Sequence, residues 1–148
     1  VPNALKVSRG QDYISHVACN ASTSSVAYAF TPLDIGTPGN AASAKNVIFA
    51  EEILIQNLDA TNNAFIRFAA AVNTAYINSA FPAIYGASGT LYEVDTTKFI
   101  AATVTDILIP AGVRNMQVYI KALGFTVICS AGTPLLDIAA FGSLGPIS

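Results

Sequence analysis

The stretch NVIFAEEILIQNL, residues 46–58, decides how the rest of the chain is read. It is dense in β-branched and aliphatic side chains, which suit a pleated, half-buried surface. The polar run NLDATNN, residues 57–63, ends it, and AFIRFAA, residues 64–70, follows as its expected hairpin partner. Side chains alternate along a strand, so Phe65 and Arg67 share one face of that partner and Ile66 and Phe68 the other.

Working outward, residues 12–19 and 26–33 read as strands separated by the small polar cluster 20–25. Thr37-Pro38-Gly39-Asn40 is a strong turn signal, continued as a loop to Lys45. Residues 76–85 are less regular, and Pro82 makes them an edge or loop element. A short strand is expected at 91–94 and a longer one at 99–109, ending at Pro110-Ala111-Gly112. Residues 113–123 alternate, with Met116, Val118 and Ile120 on one face. Gly124 is then expected to turn the chain so that 125–131 returns antiparallel. No segment carries an apolar stripe of period 3.6 over three turns. About eight strands between Gly, Pro, Asn and Ser turns give an all-β fold, an antiparallel β-sandwich or jelly roll with extended termini. The expected organisation is an N-terminal arm at 1–11, a sandwich domain at 12–133, and a C-terminal arm or edge strand at 134–148.

The chain has 148 residues, a length at which one domain is the default. Hydrophobic types make up 53% and charged types 11%, against about 25% charged in ordinary globular proteins. So few charges leave much surface neutral, which favours coverage by copies of the chain or by another protein. Nine acids and seven bases give a net charge of −2, with no basic cluster beyond isolated residues such as Lys6 and Arg9. Nucleic-acid binding needs a concentrated positive footprint, so no direct contact with DNA or RNA is expected. No basic leader with an apolar core is visible, and no apolar run reaches about 18 residues, so no membrane partner is expected either.

The search for chemistry gives absences and a few candidates. His16 is the sole histidine and lies within an expected strand, where packing or an interface is the ordinary role. Cys19 and Cys129 are widely spaced and read as two buried thiols rather than zinc ligands or a disulfide. Asp59 with Asn62 and Asn63, and Asp95 with Thr96 and Thr97, form oxygen-rich loops that read as turn caps rather than calcium sites. No catalytic residue, cofactor or metal is therefore assigned. Glu51 and Glu52 interrupt the apolar strand, and on a regular strand they point to opposite faces, so they do not form a glycosidase pair. Two structural readings are expected for them: an ion pair of Glu51 or Glu52 with Arg67 across the hairpin, or a β-bulge. Tyr76, Tyr85 and Tyr92 are candidates for a modest groove, and Tyr119 for an interface, because tyrosine is apolar in body with a hydroxyl that tolerates water.

Glu52-Ile53-Leu54-Ile55-Gln56-Asn57-Leu58 followed by Phe65-Ile66-Arg67-Phe68 resembles small β-sandwich proteins of tailed-phage virions. So do Ile107-Leu108-Ile109-Pro110-Ala111-Gly112, Val118-Tyr119-Ile120-Lys121-Ala122 and Thr126-Val127-Ile128-Cys129-Ser130. The resemblance covers about residues 50–131. It implies a structural component located in the virion: a capsid decoration or cement protein, or a fibre or tail module. It also implies a homo-oligomer, with a trimer favoured, and contact with the major capsid protein or another virion protein. The expected function is thus a non-enzymatic virion protein that oligomerises and decorates or stabilises a capsid. Two alternatives stand beside it, a carbohydrate- or receptor-binding β-sandwich module and a shell-forming jelly-roll capsid protein. A hydrolase using Glu51, Glu52 or Asp106 comes third.

Overall fold

The structure is a computed structural model, and it describes residues 12–30, 46–71, 76–81 and 91–146. The expected N-terminal arm, the turn at 37–40 and Tyr85 lie outside the described residues. The elements in chain order are β1 (Asp12–Asn20), β2 (Val26–Ala29), β3 (Asn46–Asn57), β4 (Ala64–Ala70), β5 (Ile77–Phe81), β6 (Leu91–Val94), a 3-10 turn (Thr96–Lys98), β7 (Ile107–Ile109), β8 (Met116–Cys129) and β9 (Leu135–Pro146). The fold is all-β and antiparallel, as expected for a sandwich. Hydrogen bonding runs β1-β9-β3-β8-β4-β7, with β2 also on β8 and a separate β5-β6 pair.

β8 joins the two halves of this arrangement. Its first half pairs with β3, from Ile55 opposite Met116 to Ala50 opposite Ala122. Its second half pairs with β4, from Ala70 opposite Ala122 to Ala64 opposite Cys129, while β2 takes the other side at 124–127. One strand therefore ends the group β1-β9-β3-β8 and lies inside the group β2-β8-β4-β7. The buried side chains of both groups form one core, including Cys19, Ile53, Ile55, Ile66, Phe125, Val127, Leu136 and Ile138. Burying an aliphatic or aromatic side chain of this size stabilises the fold by about 1.5–3 kcal/mol. Phe125 anchors the middle of the core, with ring centroids 5.5 Å from Tyr28 and 5.4 Å from Phe30.

Burial along β8 reflects the change of role. From Met116 to Lys121 half-buried and exposed residues alternate, whereas 122–127 are all buried. There the inner face meets the main core. The outer face lies beneath a second cluster of Leu123, Ala69, Tyr76, Val94 and Phe99. The segment after the 3-10 turn supplies that cover: the Thr126 hydroxyl donates to the Ile100 carbonyl, and the Ala102 N–H donates to the Ser25 hydroxyl.

Four expectations are corrected here. β3 and β4 are not hairpin partners, because β8 lies between them. Gly124 does not turn the chain; it sits within a continuous 14-residue strand. Of the strand expected at 99–109, only Ile107–Ile109 forms, because the preceding residues cross over β8 rather than pairing beside it. The C-terminal segment, expected as an arm or edge strand, supplies β9, which is paired on both sides by β1 and β3.

The glycine at 124 is required by close approach. A Cβ there would lie 2.4 Å from the Tyr28 carbonyl oxygen and 2.6 Å from the Phe99 ring. Gly124→Ala must push β2 or the 99–102 cover away from β8, at a cost of about 1–3 kcal/mol. Urea denaturation of both proteins measures it, and equal midpoints would contradict this account of the β8 junction.

Candidate functional site

The phase of β3 changes at its two glutamates. Ala50, Ile53 and Ile55 are buried, so the inward spacing is three and then two. The register slips between Ala50 and Glu52 against both β8 and β9, which is a β-bulge. The extra residue turns Glu51 and Glu52 to the same outer face, so the bulge replaces the opposite-face geometry of a regular strand. Neither glutamate pairs with Arg67, which lies two strands away and instead reaches Asp106 at 3.6 Å.

Glu51 and Glu52 line a groove of about 290 Å³ together with Tyr119, Phe141 and Gly142. Its geometry follows from register. Glu52 stands opposite Tyr119 on β8 and opposite Phe141 on β9, so one row across three strands reads Tyr119, Glu52, Phe141. Tyr119 is 70% exposed, the most exposed large apolar side chain described. Gly142 opposes Ala50 at the bulge and contributes to the lining beside Phe141. Phe141 and Gly142 were not singled out from sequence, since they lie in a tail rich in small residues. The spacing of three between Ala50 and Ile53 is the signal that points to the bulge.

The other candidates do not join this groove. Tyr76 is buried, with Phe99 edge-on at 5.0 Å and 70°, so it serves packing rather than an open groove. Tyr85 lies outside the described residues, and Tyr92 is placed only as a backbone position in β6. Asp106 stays with Arg67 and also accepts the Thr103 N–H. His16 pairs with Asp137 on the outer face of β1 and β9, diagonal to it in the register.

The loop NLDATNN is a hydrogen-bonded buckle. The buried Asn57 amide donates to the Asn62 carbonyl, and its oxygen accepts the Asp59 N–H. The Asp59 carboxylate accepts the Thr61 and Asn62 N–H groups and the Asn62 side-chain amide. Donors converge on this anion, so the turn-capping reading describes the contacts. The Asn62 amide also fills the space beside Gly132, where a Cβ would lie 2.4 Å away on a backbone of φ +70°. Asn63 closes the far side by accepting the Ala111 N–H.

Cys19 and Cys129 are free and buried. The Cys19 thiol is pushed up to about 11, first by burial and then by the Asp137 charge, against a hydrogen bond with Tyr28. Burial likewise raises Cys129, whose thiol donates to the Gly132 carbonyl. No known protein family matches the chain, and no curated protein matches it significantly.

Two outcomes follow from these contacts. The Asn62 amide, and then the Thr61 and Asn62 N–H groups, hold the Asp59 carboxyl below its ordinary range. A lowered folded-state value contributes stability above the unfolded pKa of about 4, and that contribution is lost as pH falls through the folded value. Urea midpoints should therefore fall more steeply with acidification below about pH 4 in the native protein than in Asp59→Asn. Parallel curves would show that the buckle does not titrate. The second outcome concerns Cys19. At pH 8 a thiol near 11 holds about a hundredfold less thiolate than an ordinary one. Iodoacetamide followed by peptide mass spectrometry should modify it at least that much more slowly in the folded protein than in urea. Rapid modification in the native state would contradict its burial.

Proposed function

We propose that this chain is a non-enzymatic structural protein of a virion, which self-associates and decorates or stabilises a capsid. The observation that carries the reading is a strip of chain leading into β7 that exposes four aliphatic side chains. Ile100, Val104, Ile107 and Leu108 are each between 44% and 54% exposed within nine residues of chain. β7 ends the hydrogen-bonded path, so its outer edge has no strand partner among the described residues. An apolar strip beside an open strand edge is the kind of surface that soluble proteins cover by association.

The sparse charge of the whole chain supports the same reading, since neutral surface suits repeated contacts between symmetric copies. The phage-like text at 107–112 falls on this strip, and that at 118–122 falls on the first half of β8. A shell-forming role and a decorating role draw on the same surface, and the resemblance favours decoration. Of the tyrosines behind the carbohydrate- or receptor-binding alternative, Tyr76 is packed inside.

Light scattering of the purified chain at tens of micromolar should give an oligomer, with a trimer favoured. Val104→Asp with Ile107→Asp should shift it towards monomer without unfolding it. The wild type should sediment with capsids of the virus that encodes it. A clean monomer that leaves those capsids in the supernatant would overturn the proposal.

A further inference from the structure

We infer that the groove at the β3 bulge binds a cationic side chain, an arginine guanidinium by preference, presented by a partner protein. This goes beyond the assembly reading and does not rest on it, since the groove lies on the β3-β8-β9 outer face rather than along the β7 strip.

The lining decides the chemistry. Glu51 and Glu52 offer only acceptors when ionised, and Phe141 and Gly142 have no polar side-chain atom. The Tyr119 hydroxyl is the single side-chain donor. A sugar presents hydroxyls that both donate and accept, and most of its acceptors would find no side-chain partner here. A guanidinium presents five donors and no acceptor, so its needs are the inverse of what the groove supplies. Its flat face also stacks on aromatic rings, and it can bind a carboxylate with two parallel hydrogen bonds.

Placement agrees with composition. Neighbouring strands lie about 4.8 Å apart, so Tyr119 and Phe141 stand about 10 Å apart at the backbone with Glu52 between them. A planar cation entering this row meets an aromatic side chain on each flank and a carboxylate at the base, with Glu51 beside it from the bulge. Neither glutamate is in an ion pair among the described residues. Lys121 points to the same face two residues from Tyr119, yet it too is in no such pair. Among the described residues the acidic charge is thus without a counter-ion. On a plain strand one of these carboxylates would face the core, so the bulge is what brings both to the surface.

The test is an NMR titration of the full chain with the peptide Ac-Gly-Arg-Gly-NH2, its citrulline counterpart, and methyl glucoside. Citrulline keeps the shape of arginine and removes its charge. The arginine peptide should give saturable shifts confined to Glu51, Glu52, Tyr119, Phe141 and Gly142, weakened by added salt. Citrulline should bind about tenfold more weakly or not at all, the difference expected when the charge-assisted part is lost. Glu51→Gln with Glu52→Gln should reduce arginine affinity to a similar degree, and Tyr119→Ala should reduce it too. All three positions lie on the outer face, so the variants should keep the native spectrum elsewhere. No saturable shift, an equal response to citrulline, or preference for the sugar would each overturn the inference. Oligomer formation without arginine binding would leave the assembly proposal standing and remove this one.

Discussion

Hydrogen bonding on both sides of β8 is the constraint from which the rest of the architecture follows. A strand shared between two groups holds them in one register, so a slip at either end would move side chains from the core to the surface. β3 fixes the first half of β8, and β2 with β4 fixes the second. The second half is also buried on both faces, between the main core and the cluster of Leu123, Tyr76 and Phe99. Gly124 stands where these demands meet, because a carbonyl and an aromatic ring occupy the space of its missing side chain. A glycine that weakens an isolated strand is here what lets three layers approach.

The bulge in β3 is the second constraint, and it links the fold to the surface. It lets Ala50 and Ile53 both face the core although they are an odd number of residues apart, and it leaves two carboxylates outside. Glu52 then falls in line with Tyr119 and Phe141, which belong to strands far apart in the chain. The groove is therefore a product of register. The buckle at Asn57 and Asp59 works at the opposite end of β3, tying the strand end to the turn before β8 through the Asn57 N–H and the Val113 carbonyl.

Much of the local structure was legible in the sequence, and the pairing was not. AFIRFAA forms a strand over the expected residues, and 91–94 does likewise, because branched and aromatic side chains bounded by turn formers depend on little else. β3 and β4 look like a hairpin because a short polar loop joins them. The strand that separates them arrives from much later in the chain, and local text carries no sign of that competition. Gly124 shows the same ambiguity, since a glycine signals a turn or a close backbone approach equally well. The tail reads as an arm or edge strand because Pro134, Gly142, Gly145 and Pro146 weaken strand preference, whereas pairing on both sides by β1 and β3 outweighs propensity there. At the candidate site the glutamates and Tyr119 were legible one by one. Their convergence required the bulge, which the apolar spacing admitted without deciding. The expected Arg67 pair failed for a topological reason, because it presumed neighbours that β8 keeps apart.

The surface divides accordingly. The β7 side presents exposed aliphatic residues beside a strand edge unpaired among the described residues, while the bulge face presents carboxylates and aromatic rings. Both depend on β8 holding the two groups as a single body. Hydrogen exchange followed by mass spectrometry across a range of protein concentrations tests that dependence most directly. The account expects slow exchange throughout residues 122–129 as one block at every concentration, with residues 100–109 slowing only as the protein associates. Fast exchange at Gly124 that splits β8 into independently opening halves would contradict it, as would protection at 100–109 that never changes with concentration.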